Sequence, residues 1–146
     1  MKLYLGNIRI DETTGDPYGV NMTTTESTSL RSPAEARPVN HAFFMLVRTT
    51  RAWIQLTPKQ RFAFVDATIK PILVNNPDVT MRFFDSEAFC GRFSDVIMWE
   101  TANILSYQAV VEELRVTDFW DTYFEVSEIV ASIENAYAHH YKVTPY

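Results

Sequence analysis

Apolar positions along the chain recur with two spacings, every second residue in some stretches and every third or fourth in others. Residues 41 to 49, HAFFMLVRT, are apolar on both alternating faces, which predicts a strand covered on both sides. Phe43, Met45 and Val47 share one face, and Phe44, Leu46 and Arg48 the other. The spacing then changes. Thr57 is a good N-cap, Pro58 suits the first helical position and Gln60 completes a capping box. Phe62, Val65, Ile69, Ile72 and Leu73 follow at helical spacing. Pro71 is expected to kink this helix or end its regular part, and Asn75-Asn76-Pro77 stops it. Alternation returns over Val79 to Phe84 and over Asp95 to Thr101, with a short connection through Cys90 and Gly91 that suits a hairpin. Asn103 caps a second helix whose apolar stripe is Ile104, Tyr107, Val110, Val111 and Leu114. A final strand is expected near Phe124 to Ile133, and the aromatic tail after it is expected to be partly ordered at best.

The order from His41 is strand, helix, strand, strand, helix, strand. This is the ferredoxin-like βαββαβ plan, an α+β fold with a four-stranded antiparallel sheet and both helices on one face. The face holding Phe43, Met45, Val47, Val79, Met81, Phe83, Val96 and Met98 is expected to carry the helices. The open face is then expected to hold Phe44, Leu46, Phe84, Ile97 and Trp99 beside Arg48, Arg82 and Asp95. That much apolar surface needs a cover, and a second copy of the chain supplies one. The expected assembly is a homodimeric α+β barrel with a cavity on the open face.

Residues 22 to 38 are rich in Ser, Thr, Ala and Pro and hold almost no large apolar residue. Residues 1 to 38 therefore read as an N-terminal arm or linker, with a short edge strand allowed by Leu3, Leu5, Ile8 and Ile10. The ferredoxin-like domain is expected over residues 39 to 146. With 47% apolar and 21% charged residues, this is an ordinary globular composition. A net charge of −5 disfavours nucleic acid and anionic lipid as partners. Cys90 is the only cysteine, which suits a reducing, cytoplasmic setting. No apolar run approaches a membrane span, and the start does not have the form of a secretory signal.

Five stretches together resemble the darcynin family of small bacterial proteins: HAFFMLVRTT, LTPKQRFAFVDATIKPIL, MRFFDSEAF, SDVIMWET and FEVSEIVASIENAYAHHY, across residues 41 to 141. The resemblance implies the dimeric α+β barrel superfamily. That superfamily includes cofactor-free monooxygenases, isomerases, polyketide cyclases and haem enzymes, which use different residues on one scaffold, so the likeness selects no reaction.

Arg48 and Arg82 are the most informative candidates, because a guanidinium on an apolar face can bind a carboxylate or stabilise an enolate. The alternative is that they pair with Asp95, Glu125 or a partner chain. Asp95, Glu100 and Glu125 are candidate carboxylates, with Asp95 and Glu100 as proton-moving groups beside Arg82. An exposed strand end accounts for the same carboxylates without chemistry. Phe84, Trp99 and Tyr107 are expected to wall a ligand site with Arg48 and Glu125, unless the aromatics are plain core. No metal site is expected: His139 and His140 lack one-turn spacing, and His41 lies at the domain's edge. Nothing near Cys90 marks it as an activated thiolate. The function expected is a cofactor-free enzyme on an anionic or carbonyl-bearing small molecule, of isomerase, cyclase or monooxygenase type, with a biosynthetic pathway as one setting. The alternatives are a non-catalytic dimeric binding protein and a haem-binding barrel protein.

Overall fold

The computed structural model describes residues 40 to 145. The elements are β1 (His41–Thr49), α1 (Arg51–Gln55), α2 (Pro58–Phe64), a π-helical turn (Val65–Ile69), α3 (Lys70–Asn75), β2 (Thr80–Asp85), β3 (Asp95–Thr101), α4 (Ile104–Arg115), β4 (Phe124–Ile133) and α5 (Ala136–Tyr141). The four strands form one antiparallel sheet in the order β2-β3-β1-β4, which is the ferredoxin-like arrangement. The arm expected over residues 1 to 38 lies outside the described residues.

Local signals account for the helix starts. The Thr57 hydroxyl accepts from the Gln60 N–H, and the Gln60 side chain accepts from the Thr57 N–H, so two otherwise orphaned donors are satisfied. Asn103 accepts from Leu105 N–H at the head of α4. Pro71 has no N–H to give to the preceding turn, and the regular helix gives way to the wider π turn directly before it. That turn shifts the phase of the inward face. Val65, Ile69 and Ile72 are buried and Phe64 is half-buried, whereas Phe62, expected in the stripe, is exposed. The same holds for Ile104 at the head of α4, which is exposed while Tyr107, Val110 and Leu114 are buried. The short helix α1 lay beyond sequence patterning. It buries Trp53, and Arg61 holds it in place by donating to the Trp53 and Ile54 carbonyls at 3.2 and 2.9 Å.

The core lies between the helix layer and one face of the sheet. On that face Phe43 stands opposite Trp99 and Met45 opposite Ile97. Directly opposed residues share a face, so β3 turns Asp95, Ile97 and Trp99 toward the helices and Val96, Met98 and Glu100 away. The sequence reading of β3 is corrected here by one residue. Both parities of DVIMWET are apolar, so alternation alone could not choose between them. Pairing with β1 chose, and it placed the bulkier Trp99 and Ile97, each 1% exposed, against the helices. The tail, expected to be partly ordered at best, forms the short, largely exposed helix α5.

Candidate functional site

Three rows of side chains cross the outward face of the sheet, read from β2 to β4. The first is Thr80, Glu100, Ala42 and Ser132; the second is Arg82, Met98, Phe44 and Val130; the third is Phe84, Val96, Leu46 and Glu128. Beyond the third row Arg48 stands opposite Glu125. A bulge between Val126 and Glu128 inserts Ser127 into β4. Strict alternation would put Glu125 and Glu128 on opposite faces; the extra residue brings both to the outward one. The centre of the face is thus apolar, with a cation on the β2 edge and carboxylates on the β4 edge. Phe84 is 41% exposed and Val130 42%.

The expected site residues divide between the two sides of the sheet. Arg82, Arg48 and Phe84 lie on the outward face, as expected; Glu100, read with Val96 and Met98 on the helix side, moves outward with them, and Glu125, given no face by alternation, lies outward too. Asp95 and Trp99 do not; they lie on the helix side, a consequence of the β3 pairing. Tyr107, on α4, is there too, its ring stacked on Phe43 at 3.7 Å and tilted against Trp99 at 6.5 Å. The outward residues that sequence reading missed are Val96, Met98, Glu128 and Val130. Strand pairing reveals the first two; for Glu128 the bulge left no mark in the sequence.

Arg82 lies with its guanidinium 5.0 Å from the Phe84 ring centroid. The only ion pair among the described residues is Lys70–Asp66, so Arg82 has no carboxylate partner within them. Arg48 is committed. It donates to the Gly91 and Arg92 carbonyls at 3.2 and 2.8 Å, and so ties the β2–β3 loop to the sheet. In that loop Phe89 is 92% exposed. The backbone N–H groups of Phe93 and Arg92 hold the Cys90 thiol below its ordinary value, so this cysteine is more acidic than its sequence context indicated.

On the helix side Asp95 is 2% exposed and accepts from the Ser94 hydroxyl at 2.6 Å. Burial, and after it the negative charges of Glu87 and Asp85, push its carboxyl up to about 6 from 3.8 against the opposing Ser94 bond. The three carboxylates can bring oxygens within 4.8 Å of one another. Asp85 and Glu87 are exposed to water. Because the folded pKa lies above the unfolded one, Asp95 costs no stability below about pH 4 and an increasing amount as pH rises through 6. Asp95→Asn removes that cost. A gain of about 1–3 kcal/mol at pH 8 is expected, with little gain at pH 4, at 1.36 kcal/mol per pKa unit. Urea melts at the two pH values measure it; an equal or negative change at pH 8 excludes a charge cost at Asp95.

Trp99 Nε1, Tyr107 Oη and His41 Nδ1 are buried with no hydrogen-bond partner among the described residues. Burial also pushes the Tyr107 phenol up to about 12, so it stays neutral. Also on the helix side is an apolar cavity of about 30 Å³ lined by Trp53, Phe64, Val65, Ile69, Met81, Phe83, Ile97, Phe119 and Phe124. It has room for only a water or two. No helix among the described residues is long and apolar enough to cross a membrane.

Comparison with known proteins agrees with this architecture. Residues 22–146 match the family model described as Darcynin, domain of unknown function. The matched span begins within the segment read as an arm. A darcynin homolog of Granulibacter bethesdensis is 46% identical over 99 residues, covering 67% of this chain and 80% of that protein. Among solved structures, a heme-binding protein from Thermus thermophilus superposes with a TM-score of 0.60 at 12% identity, over 72% of this chain and 44% of that one. Chlorite dismutase from Candidatus Nitrospira defluvii gives 0.55 at 7% identity, over 64% and 39%. This chain thus spans less than half of either solved structure, and at these identities the likeness is one of fold. The family match extends over most of the sequence, and the chain belongs to the darcynin family.

Proposed function

We propose that this protein is a small-molecule enzyme that acts without a cofactor on an anionic or carbonyl-bearing organic substrate, held on the outward sheet face and enclosed by a second copy of the chain. The observation that supports it is Arg82: a guanidinium with no carboxylate partner among the described residues, lying over an aromatic ring at the margin of an apolar surface. In a chamber closed to water, that charge binds a carboxylate or an enolate strongly. Glu100, in the adjacent row and half-buried, is the carboxylate on this face placed to accept or return a proton. Asp95 leaves this role, because it lies behind the sheet. Isomerisation and cyclisation need no more than these two groups and an apolar wall. The single cysteine suits a cytoplasmic setting.

The test is a titration of wild-type protein and Arg82→Ala with benzoate and larger aromatic carboxylates, followed by NMR shifts and product analysis. Affinity is expected to fall at least about tenfold in the variant, the worth of a charge-assisted hydrogen bond. Unchanged affinity in a folded variant sinks the assignment. Saturable binding without conversion leaves the non-catalytic binding protein as the function.

A haem-binding reading draws on the likeness to a heme-binding protein. Neither the cavity nor the outward sheet face supplies it a ligand, and the imidazoles of His139 and His140 lie on the exposed helix α5. The cavity between helices and sheet is too small for a tetrapyrrole, and its lining has no imidazole, thiolate or phenolate. Nor do the strands offer one of these groups on their outward face. Hemin added to the protein is therefore expected to give no saturable Soret shift.

A further inference from the structure

We propose that the second copy lies across the outward face with its two-fold axis parallel to the strands, so that Arg82 of each copy meets Glu128 of the other. The inference rests on the reading of this face as a chamber wall and adds how the chamber is closed. It follows from where the charges sit. Four strands spaced about 4.8 Å apart and about seven residues long make an uncovered face of roughly 400 Å². Contiguous apolar patches of that size are often functional. Its centre, Phe44, Leu46, Val96 and Met98, is apolar and matches itself. Its edges differ: β2 carries Arg82, while β4 carries Glu128 and Glu125.

A two-fold axis in the plane between two such faces has two simple orientations. An axis across the strands sets β2 over β2 and β4 over β4, which gathers the two arginine edges on one side and the two glutamate edges on the other. An axis along the strands sets β2 over the other copy's β4. Position along the strands is then preserved, and Arg82 faces the row of Val130 with Glu128 one row away. Like charges brought together in an interface are costly, and opposite charges fix the register. The second orientation therefore prevails, and each end of the chamber is built from the arginine edge of one copy and the acidic edge of the other. Five N–H donors let Arg82 pair with Glu128 on one side and keep others for a bound anion.

Charge exchange tests the arrangement without a ligand. Arg82→Glu and Glu128→Arg each place like charges twice in the homodimer. Each variant alone is expected to dissociate at least about 100-fold more readily than wild type by light scattering and ultracentrifugation. Mixed in equal amounts, they are expected to recover a heterodimer of near wild-type affinity. As a second measure, Arg82→Cys and Glu128→Cys combined in one Cys90→Ser chain should give dimers joined between positions 82 and 128 by a short bismaleimide linker, because facing sheets about 10 Å apart hold these positions beyond the reach of a direct disulfide. A dimeric wild type with no recovery on mixing and no such cross-link overturns the orientation and leaves the proposed function standing. A monomeric wild type overturns both the orientation and the chamber.

Discussion

Phe44→Asp is expected to give a folded monomer at concentrations where the proposed dimer of the wild-type chain forms. Phe44 lies on the central strand β1, between Met98 and Val130, with its side chain directed away from the core. Nothing in the folded chain's own core depends on it, so the variant keeps its secondary structure. In the proposed dimer the same position is central, and two-fold symmetry brings two new carboxylates into one apolar patch. A buried charge without a partner costs about 3–5 kcal/mol, so two copies oppose association by roughly 6–10 kcal/mol. That is four or more orders of magnitude in the dissociation constant. Sedimentation across a concentration series measures it, with circular dichroism as the control for folding. A variant that dimerises as tightly as wild type shows that some other surface joins the copies.

Trp99→Ala is expected to act on stability and not on recognition. On strand alternation alone, Trp99 belonged to the ligand wall, and its loss would then weaken binding and leave the domain intact. In the fold it is 1% exposed, opposite Phe43 and tilted against Tyr107 beneath α4. Removing a buried tryptophan leaves a cavity and costs about 3–5 kcal/mol, a large part of the roughly 5–15 kcal/mol that stabilises a domain of this size. Met98→Ala, one residue away on the outward face, is the paired control. It is half-buried in the single chain, and its loss is expected to cost less in the melt and more in dimer affinity. Thermal melts and dimer dissociation constants of both variants separate the two sides of β3. If Trp99→Ala melts like wild type, the register of β3 against β1 is wrong.

The two sides of that strand also show what determined the site. Helix caps, turn residues and apolar period are local properties, and these were legible residue by residue. Thr57 with Gln60, Asn103, the ends of β3 and β4 and the order of elements follow from torsional preference and nearby hydrogen bonds, so the ferredoxin-like plan was readable in the sequence alone. So was the presence of Arg48 and Arg82 on one face, because the polar positions of β1 and β2 break otherwise apolar runs. The face of β3 was not readable. Its two parities are equally apolar, and only backbone pairing with β1 sends Trp99 and Asp95 to the core and Val96 and Met98 outward. The same is true of Glu128, turned outward by a bulge that arises where β4 meets β1, and of Arg48, whose partners are carbonyls 43 and 44 residues further along the chain. Periodicity says how many faces a strand has; the neighbouring strand, which shares its hydrogen bonds and hence its register, decides which face is buried. That choice, made by tertiary pairing, took Asp95 from the candidate site and left Arg82, Glu100 and the apolar row around Phe44.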